Sequence, residues 1–494
     1  MHISLINLPR YEIHRPPLSL AILSALCSAQ NVAHDCYDFS LRIYQELPEH
    51  LVDIDNYCIT GNITDALRSR LRQSIRTWIV DIIDSNPDTV FAISLLSTWS
   101  QNICQMVCEE IRSLSTNQIL LGGQGLADSA WNDRMLSSGC IDWFMIGEAE
   151  VIFPKFLQGY RNLPGLNNYN NEQIDDLDTH VVIPDYRKLK IEQYPHLGER
   201  LDLFITASRG CVRRCSYCDI GHQWKKYRYR SAKQVAAEMI AQYERHGITD
   251  FFFTDSLING SMKMLDELCD ELIDYRQQHS MPRSFSWKGQ YIFRPKNTVK
   301  ERHIARLKEA GVDYLIVGLE TGSDRVRYDM NKKHTMEDAE YFLELFKKYG
   351  IKCHLLMITG WVTETLDDHN ETLKMFERWQ KFVASGTITG IELGSTLTIL
   401  EHSPVGEQID YYGIQMLDNK PYLWQADANP ELTIHERIRR RVETHRVAMK
   451  YQWPITRSLY RLNTIKRSLQ EAIETLSNRQ RRKIIPLRLV EPSL

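Results

Sequence analysis

Residues 203–224 read LFITASRGCVRRCSYCDIGHQW. Leu203, Phe204 and Ile205 form an apolar run of strand character, and three thiols, Cys211, Cys215 and Cys218, follow it within one short loop. Soft thiolates in a tight loop select zinc, copper(I) or an iron–sulfur cluster. Structural zinc is closed by four protein ligands, and no fourth cysteine or close ligand pair completes such a set nearby. Three cysteines fit better a cubane in which one iron is left open for another molecule.

The C-x3-C-x2-C spacing, with Tyr217 just before the last cysteine, resembles the radical S-adenosylmethionine (radical SAM) superfamily. The resemblance implies a 4Fe-4S cluster on Cys211, Cys215 and Cys218. Its open iron would chelate the amino and carboxylate groups of S-adenosylmethionine (SAM), with Tyr217 on the SAM side. Reductive cleavage to methionine and a 5′-deoxyadenosyl radical is the implied activity, with a reductant such as flavodoxin or ferredoxin. Arg213 and Arg214 are read as holding the loop or as solvated, and His222 and Trp224 as covering the cluster. A rival of another class is a non-catalytic protein whose cysteines hold a structural metal.

Downstream, residues 201–410 repeat strand and helix about six times. Several helical stretches stop at glycine (Gly247, Gly311, Gly350), as helix C-termini do. A partial (β/α)6 barrel of the TIM-like kind fits, and the resemblance implies the same fold. Active groups in such barrels sit at the carboxyl ends of the strands, where the cysteine loop lies.

By the same resemblance, Asp255 and Ser256 in FFFTDSLING take the SAM amino group; N-capping the next helix is the plain alternative. GLETGS (318–323) resembles the family's G-x-E-x-G-S segment. It implies Glu320 on SAM's ribose hydroxyls or amino group, Gly318 and Gly322 for close approach, and Ser323 on a carboxylate or as a cap. Glu320 ends an apolar strand and needs a polar partner if buried; a ligand is read as that partner in preference to a structural pair. MITGWVTET (357–365) resembles a G-x-P-x-E-T turn, with Val362 where proline is usual, and assigns Gly360 and Glu364 to the adenine pocket. Ser395, Thr396 and Thr398 are read as substrate-side or adenine-side groups. Trp287, Lys288, Gln290 and His354 are read as facing inward. No general acid or base is assigned.

Residues 1–160 alternate strand and helix patterns, which argues for a parallel, doubly wound (Rossmann-like) sheet. Ligands bind such sheets beyond the carboxyl ends of the strands. The strand-end loops supply Asn7 and Pro9, Ser97, Gly122, Gly123 and Gln124, and Gly147 and Glu148. Residues 41–86 read as a polar, partly helical insertion or cap. NLPR…PPLSLAILSALC, ILLGGQGLAD and DWFMIGEAEVIFPKFL resemble the cobalamin-binding-like domain that precedes many radical SAM cores. That implies cobalamin on these loops and methyl transfer to an unactivated carbon. Rearrangement, ring contraction, oxidation and cyclisation stay open beside it. The D-x-H-x-x-G motif of that domain is absent, and His34 lies outside its context.

Residues 161–200 read as a linker. Residues 411–494 lose the alternation and become helical and basic from Thr433, as in RIRRRVETHR (437–446), RSLYRLNTIKRSLQEAIETL (457–476) and RQRRK (479–483). This reads as a helical cap with solvated charge, the alternative being a basic surface for RNA or an acidic peptide.

The whole chain of 494 residues carries 60 basic and 63 acidic groups, a net charge of −3. That balance argues for no nucleic-acid, membrane or acidic partner overall. MHISLINLPR lacks the pattern of a signal peptide, and no apolar run approaches the ~20 residues that span a bilayer. Eight further cysteines are scattered, which suits a reducing compartment. Cys104 and Cys108 are read as one face of a helix. A cytoplasmic enzyme acting on a small molecule or peptide is the expectation.

Overall fold

The computed structural model describes residues 1–9, 12–170, 173–196, 198–279, 281, 283–393, 396–417 and 421–456. Ser395 and the basic stretches 457–476 and 479–483 lie outside them. The chain divides into two compact units, both built from non-contiguous segments. The first holds Met1–Ala207, Arg228–Thr254 and Glu271–Trp287; the second holds Ser208–Tyr227, Asp255–Asp270 and Lys288–Leu494.

The first unit contains a parallel sheet of five strands, β1 (His2–Asn7), β2 (Ala33–Asp38), β3 (Thr89–Ser94), β4 (Ile119–Gly122) and β5 (Trp143–Met145). Their order is β2-β1-β3-β4-β5. Helices cover both faces of such a sheet, which is why its strands read as continuous apolar runs. Ile3, Leu5, Ile6, Phe91, Ile93 and Leu121 are fully buried or nearly so. The chain reverses direction across the sheet between β1 and β3, and beyond such a point ligands bind doubly wound folds.

The segment read as a polar cap is three helices, Phe39–Glu46, Leu51–Thr60 and Asp65–Ser85. Leu71, Ile75, Trp78, Ile79 and Ile82 fall at helical spacing on one face of the longest and join the core.

A second sheet has six strands: β6 (Asp202–Ile205), β7 (Asp250–Phe253), β8 (Ser286–Tyr291), β9 (Val312–Glu320), β10 (Lys352–Met357) and β11 (Ile388–Glu392). Its order is β11-β10-β9-β8-β7-β6. β6, β7 and the start of β8 belong to the first unit, and the rest of β8 through β11 to the second. The helices between these strands stop as their residues dictate. Gly247 and Gly350 are left-handed C-caps, and Thr335 and Thr365 start helices through capping boxes with Asp338 and Asp368.

Beyond β11 the second unit adds an antiparallel pair, β12 (Ile414–Met416) and β13 (Trp424–Ala426), then the helix Ile434–Lys450, capped by Thr433. The reading of this helix as solvated charge is corrected here. Arg437, Arg440 and Arg441 are buried because each finds a role inside the fold or is enclosed by it. Arg440 pairs with buried Glu364 at 3.0 Å, and Arg437 lies 3.8 Å over the ring of Trp424. Among the described residues no helix is long and apolar enough to cross a membrane.

Candidate functional site

The cysteine loop is shaped by one glycine and pinned from outside. Gly210 has φ +88, and a Cβ there would lie 2.8 Å from the carbonyl oxygen of Lys226, so the loop closes only on glycine. Ser216 holds the middle of the loop. Its N–H donates to Met330 O at 3.0 Å and its hydroxyl to Asp329 O at 3.0 Å. Its carbonyl accepts from Val405 N at 2.8 Å. Asn331 Nδ2 donates to Arg214 O at 2.7 Å.

Cys211, Cys215 and Cys218 are half-buried free thiols on this frame. Burial raises the Cys215 thiol, with nearby Lys332 pulling it down, and pushes Cys218 up to about 11. A thiol in such surroundings becomes a thiolate when a metal centre compensates the charge. Three soft donors on one rigid loop therefore fit an iron–sulfur cluster.

Behind the loop lies a buried charged group. Tyr217 OH donates to Glu320 Oε1 at 2.7 Å, and Lys332 Nζ donates to the same oxygen at 2.9 Å and lies 3.2 Å from the tyrosine oxygen. Burial and the Glu320 charge push the Tyr217 phenol well above its usual range. Burial opposes the charge on Lys332, yet Glu320 and Cys215 hold its pKa above the ordinary lysine value.

The backbone that aims Glu320 is unusual. Its φ is +70, and the β9–β10 register shifts between Gly318 and Glu320. Strain of this kind costs of the order of 1–3 kcal/mol and collects at functional sites. Gly318 makes room for the pair itself: a Cβ there would collide with the Glu320 carboxylate and sit 2.9 Å from Lys332 Nζ. Lys332 was not singled out in the sequence; its only signal is the pair Lys332-Lys333 in a turn after a short helix.

The other candidates of this unit lie at the strand ends and in the turns beside them. Asp255 is buried beyond β7 and accepts from Ser208 Oγ, with half-buried Ser256 beside it in sequence. Asn259, four positions after Asp255, is committed to the backbone of Ile292. Ser323 caps the helix Asp324–Asp329 and donates to Asp368 Oδ1 at 2.7 Å. A Cβ on Gly322 would lie 2.5 Å from Thr372 Cα, so this glycine serves helix packing. Gly360 has φ +78, a Cβ there would lie 2.8 Å from the Arg437 side chain, and its N–H donates to Glu364 at 3.2 Å. Val362 is buried in the apolar cluster that includes Trp361 and Trp424.

Farther back along the strands, Tyr314 stacks on His354 at 4.5 Å and Lys288 lies 5.4 Å over the Tyr314 ring. Trp287 is buried and Gln290 exposed. His354 pairs in register with Ile316, four positions before Glu320.

In the first unit the candidates separate into committed and open groups. Asn7 donates to Asp38 at 2.9 Å, and Asp38 also accepts from Tyr194. Glu148 is buried and paired with Arg228 at 2.8 Å, and accepts from Ile174 N. Pro9 is buried. These groups are occupied by the fold.

Gly122, Gly123, Gln124, Gly147 and half-buried Ser97 instead form an accessible rim at the ends of β3, β4 and β5. Nothing lies within 4 Å of a Cβ on Gly122, and Gly123 has φ +100. Leu96 and Trp99, 50% and 54% exposed, add apolar surface that the sequence reading did not single out. An open, glycine-rich and apolar rim of this kind fits a broad, flat ligand such as a corrin.

Residues 205–376 match the family model of the Radical SAM superfamily. A curated relative, the anaerobic magnesium-protoporphyrin IX monomethyl ester cyclase of Rubrivivax gelatinosus, is 28% identical over 214 residues, 43% of this chain and 37% of the relative. The fold resembles that of the radical SAM methyltransferase TsrM from Kitasatospora setae, solved with cobalamin and a 4Fe-4S cluster bound. That likeness has a TM-score of 0.61 at 18% identity, covering 85% of this chain and 81% of that one. It also resembles the cobalamin-dependent SAM radical enzyme OxsB with aqua-cobalamin and SAM bound, at TM-score 0.61, 17% identity and coverage of 85% and 62%. At these identities the two likenesses concern the fold. The matches span 33% to 55% of the lengths of the curated relatives.

Proposed function

Because residues 205–376 match the Radical SAM superfamily, we propose that this chain is an enzyme that cleaves SAM reductively and couples this to cobalamin-dependent methylation of an unactivated carbon. When bound, a 4Fe-4S cluster supplies the electron that parts SAM into methionine and a 5′-deoxyadenosyl radical, and cobalamin supplies the methyl group.

In this reading Cys211, Cys215 and Cys218 hold the cluster. Lys332, Glu320 and Tyr217 brace the loop from behind. Both hydrogen bonds to the Glu320 carboxylate reach Oε1, so Oε2 is the atom offered to the amino group or ribose of SAM. Asp255 and Ser256 serve the same ligand from the end of β7, and Gly318, Gly322, Ser323 and Gly360 shape its surroundings. The rim of Ser97, Gly122, Gly123, Gln124 and Gly147, with Leu96 and Trp99, takes the corrin. Asn7, Pro9 and Glu148 support that rim through their internal bonds or packing. The substrate is a small molecule or a peptide.

One observation carries the reading: a thiol trio on a pinned loop, braced by a buried Lys–Glu–Tyr group. Protein purified without oxygen and reconstituted with iron, sulfide and hydroxocobalamin is expected to keep a corrinoid spectrum after desalting. With dithionite it is expected to release 5′-deoxyadenosine from SAM, and Cys215→Ala to release none. Stoichiometric zinc without iron, or undiminished product from Cys215→Ala, refutes the SAM-cleaving assignment. Loss of the corrinoid on desalting refutes the cobalamin part.

A further inference from the structure

Two half-buried arginines flank the cysteine loop with buried nitrogens that the fold does not use. Arg213 lies between Cys211 and Cys215, and its N–H donates to the Cys211 sulfur at 3.4 Å. Its Nε is buried and has no hydrogen-bond partner among the described residues. Arg294, three positions beyond β8, gives Nη2 to Asn259 O at 2.5 Å and to Gly260 O at 3.1 Å. Its Nε is buried and unpartnered in the same way.

Tyr227 ties the turn that Arg294 holds to the foot of the thiol loop. A Cβ on Gly260 would strike the Tyr227 phenol, and Ser261 N donates to its oxygen at 3.2 Å. A Cβ on Gly210, just before Cys211, would lie 3.3 Å from Tyr227 Cα. The charge of Arg213 also reaches Arg294, whose pKa is lowered by burial first and by Arg213 second. The buried acids nearby are engaged elsewhere: Glu320 holds Lys332, and Asp255 accepts from Ser208 Oγ. Asp219 sits beside Cys218, at the other end of the trio.

A cluster on three thiolates gains one negative charge when it takes an electron, so a positive charge held nearby favours its reduced form. Cluster potentials also respond to hydrogen bonds on sulfur and to solvent exposure. Salt screens enclosed charges much less than exposed ones. We propose that Arg213 and Arg294 raise the reduction potential of the cluster held by Cys211, Cys215 and Cys218, with the Arg213 N–H on the Cys211 sulfur adding to the effect. Both act through the cluster, as positioning residues. The inference rests on the cluster assignment above.

The test follows the cluster itself, in the reconstituted full chain without SAM. Electron paramagnetic resonance gives the reduced fraction at each solution potential during titration with titanium(III) citrate, and iron and sulfide are counted in every sample. A unit charge about 10 Å away, at an effective dielectric constant of about 20, changes such an equilibrium about tenfold. Arg213→Gln is therefore expected to lower the ratio of reduced to oxidised cluster at fixed potential about tenfold, which is about 59 mV for one electron. Arg294→Gln is expected to lower it about threefold or more. Arg213→Lys, which keeps the charge, is expected to stay within about twofold of wild type. So is Arg214→Gln, which removes an exposed, screened charge from the same loop. An iron-loaded Arg213→Gln protein that titrates like wild type overturns the inference. Where that variant takes up too little iron, a wild-type titration by Arg294→Gln does so instead. A shift in Arg213→Lys or Arg214→Gln as large as in Arg213→Gln also overturns it. Wild-type protein that binds zinc and no iron overturns the cluster assignment, and this inference with it.

Discussion

Replacing Lys332 by methionine tests how the cysteine loop is braced. The lysine ammonium sits 2.9 Å from Glu320 Oε1, and the Tyr217 hydroxyl 2.7 Å from the same oxygen. The Lys332 and Glu320 side chains are only 5% and 7% exposed. Methionine fills nearly the same volume, so the change removes charge rather than packing. It leaves a buried carboxylate with one neutral donor, a situation that costs about 3–5 kcal/mol. With an m-value of about 3 kcal/mol/M, the urea midpoint of cluster-free protein falls by about 1–1.7 M. Lys332→Met combined with Glu320→Gln removes both charges and is expected to cost less than Lys332→Met alone, because a buried ion pair as a whole adds little net stability. The coupling, about 1–3 kcal/mol, comes from the double-mutant cycle followed by circular dichroism in urea. A loss below about 1 kcal/mol in the single variant, or a double variant that loses the sum of the singles, refutes the account of Lys332 as the partner of Glu320.

Two further outcomes test the packing and the charge network. Gly318→Ala is expected to lower stability by about 1–3 kcal/mol in thermal unfolding, because its methyl would strike the Glu320–Lys332 pair, whereas Gly122→Ala, with nothing within 4 Å, is expected to leave it unchanged. Hydrogen bonds from Arg439 and then Arg440, working against burial, hold Glu436 down to about 2 from 4.5. A depressed carboxylate stabilises the fold above its unfolded pKa and loses that contribution as pH falls. The unfolding midpoint should therefore drop between about pH 4.5 and pH 2, and Glu436→Gln should flatten that slope.

The parts legible in the sequence were those with a local signature. Strands buried on both faces announce themselves as apolar runs, and helix ends by glycine and capping residues. This is how the five-stranded sheet and the six strands of the second sheet could be expected. The thiol trio is also local, three residues within eight positions. Illegible features depend on distant partners. Lys332 looks like any turn lysine until Glu320, twelve positions earlier, is seen to share its site. Asn7 and Glu148 sit at strand ends as expected of ligand-side groups, but Asp38 and Arg228 claim their polar atoms. Leu96 and Trp99 stand exposed where a hydropathy reading puts apolar residues inside.

The basic residues show most plainly why charge runs resist reading from sequence. Helix Ile434–Lys450 carries five arginines, yet three of them, Arg437, Arg440 and Arg441, are buried. Arg440 bonds Glu364 and Glu436, Arg439 bonds Glu436 and Glu443, and Arg437 and Arg441 are enclosed, with burial alone lowering them to about 9 and about 10. An arginine on a helix face meets neighbouring elements and is drawn into ion pairs or stacked on rings, so its place in a basic run says little about whether its charge reaches solvent.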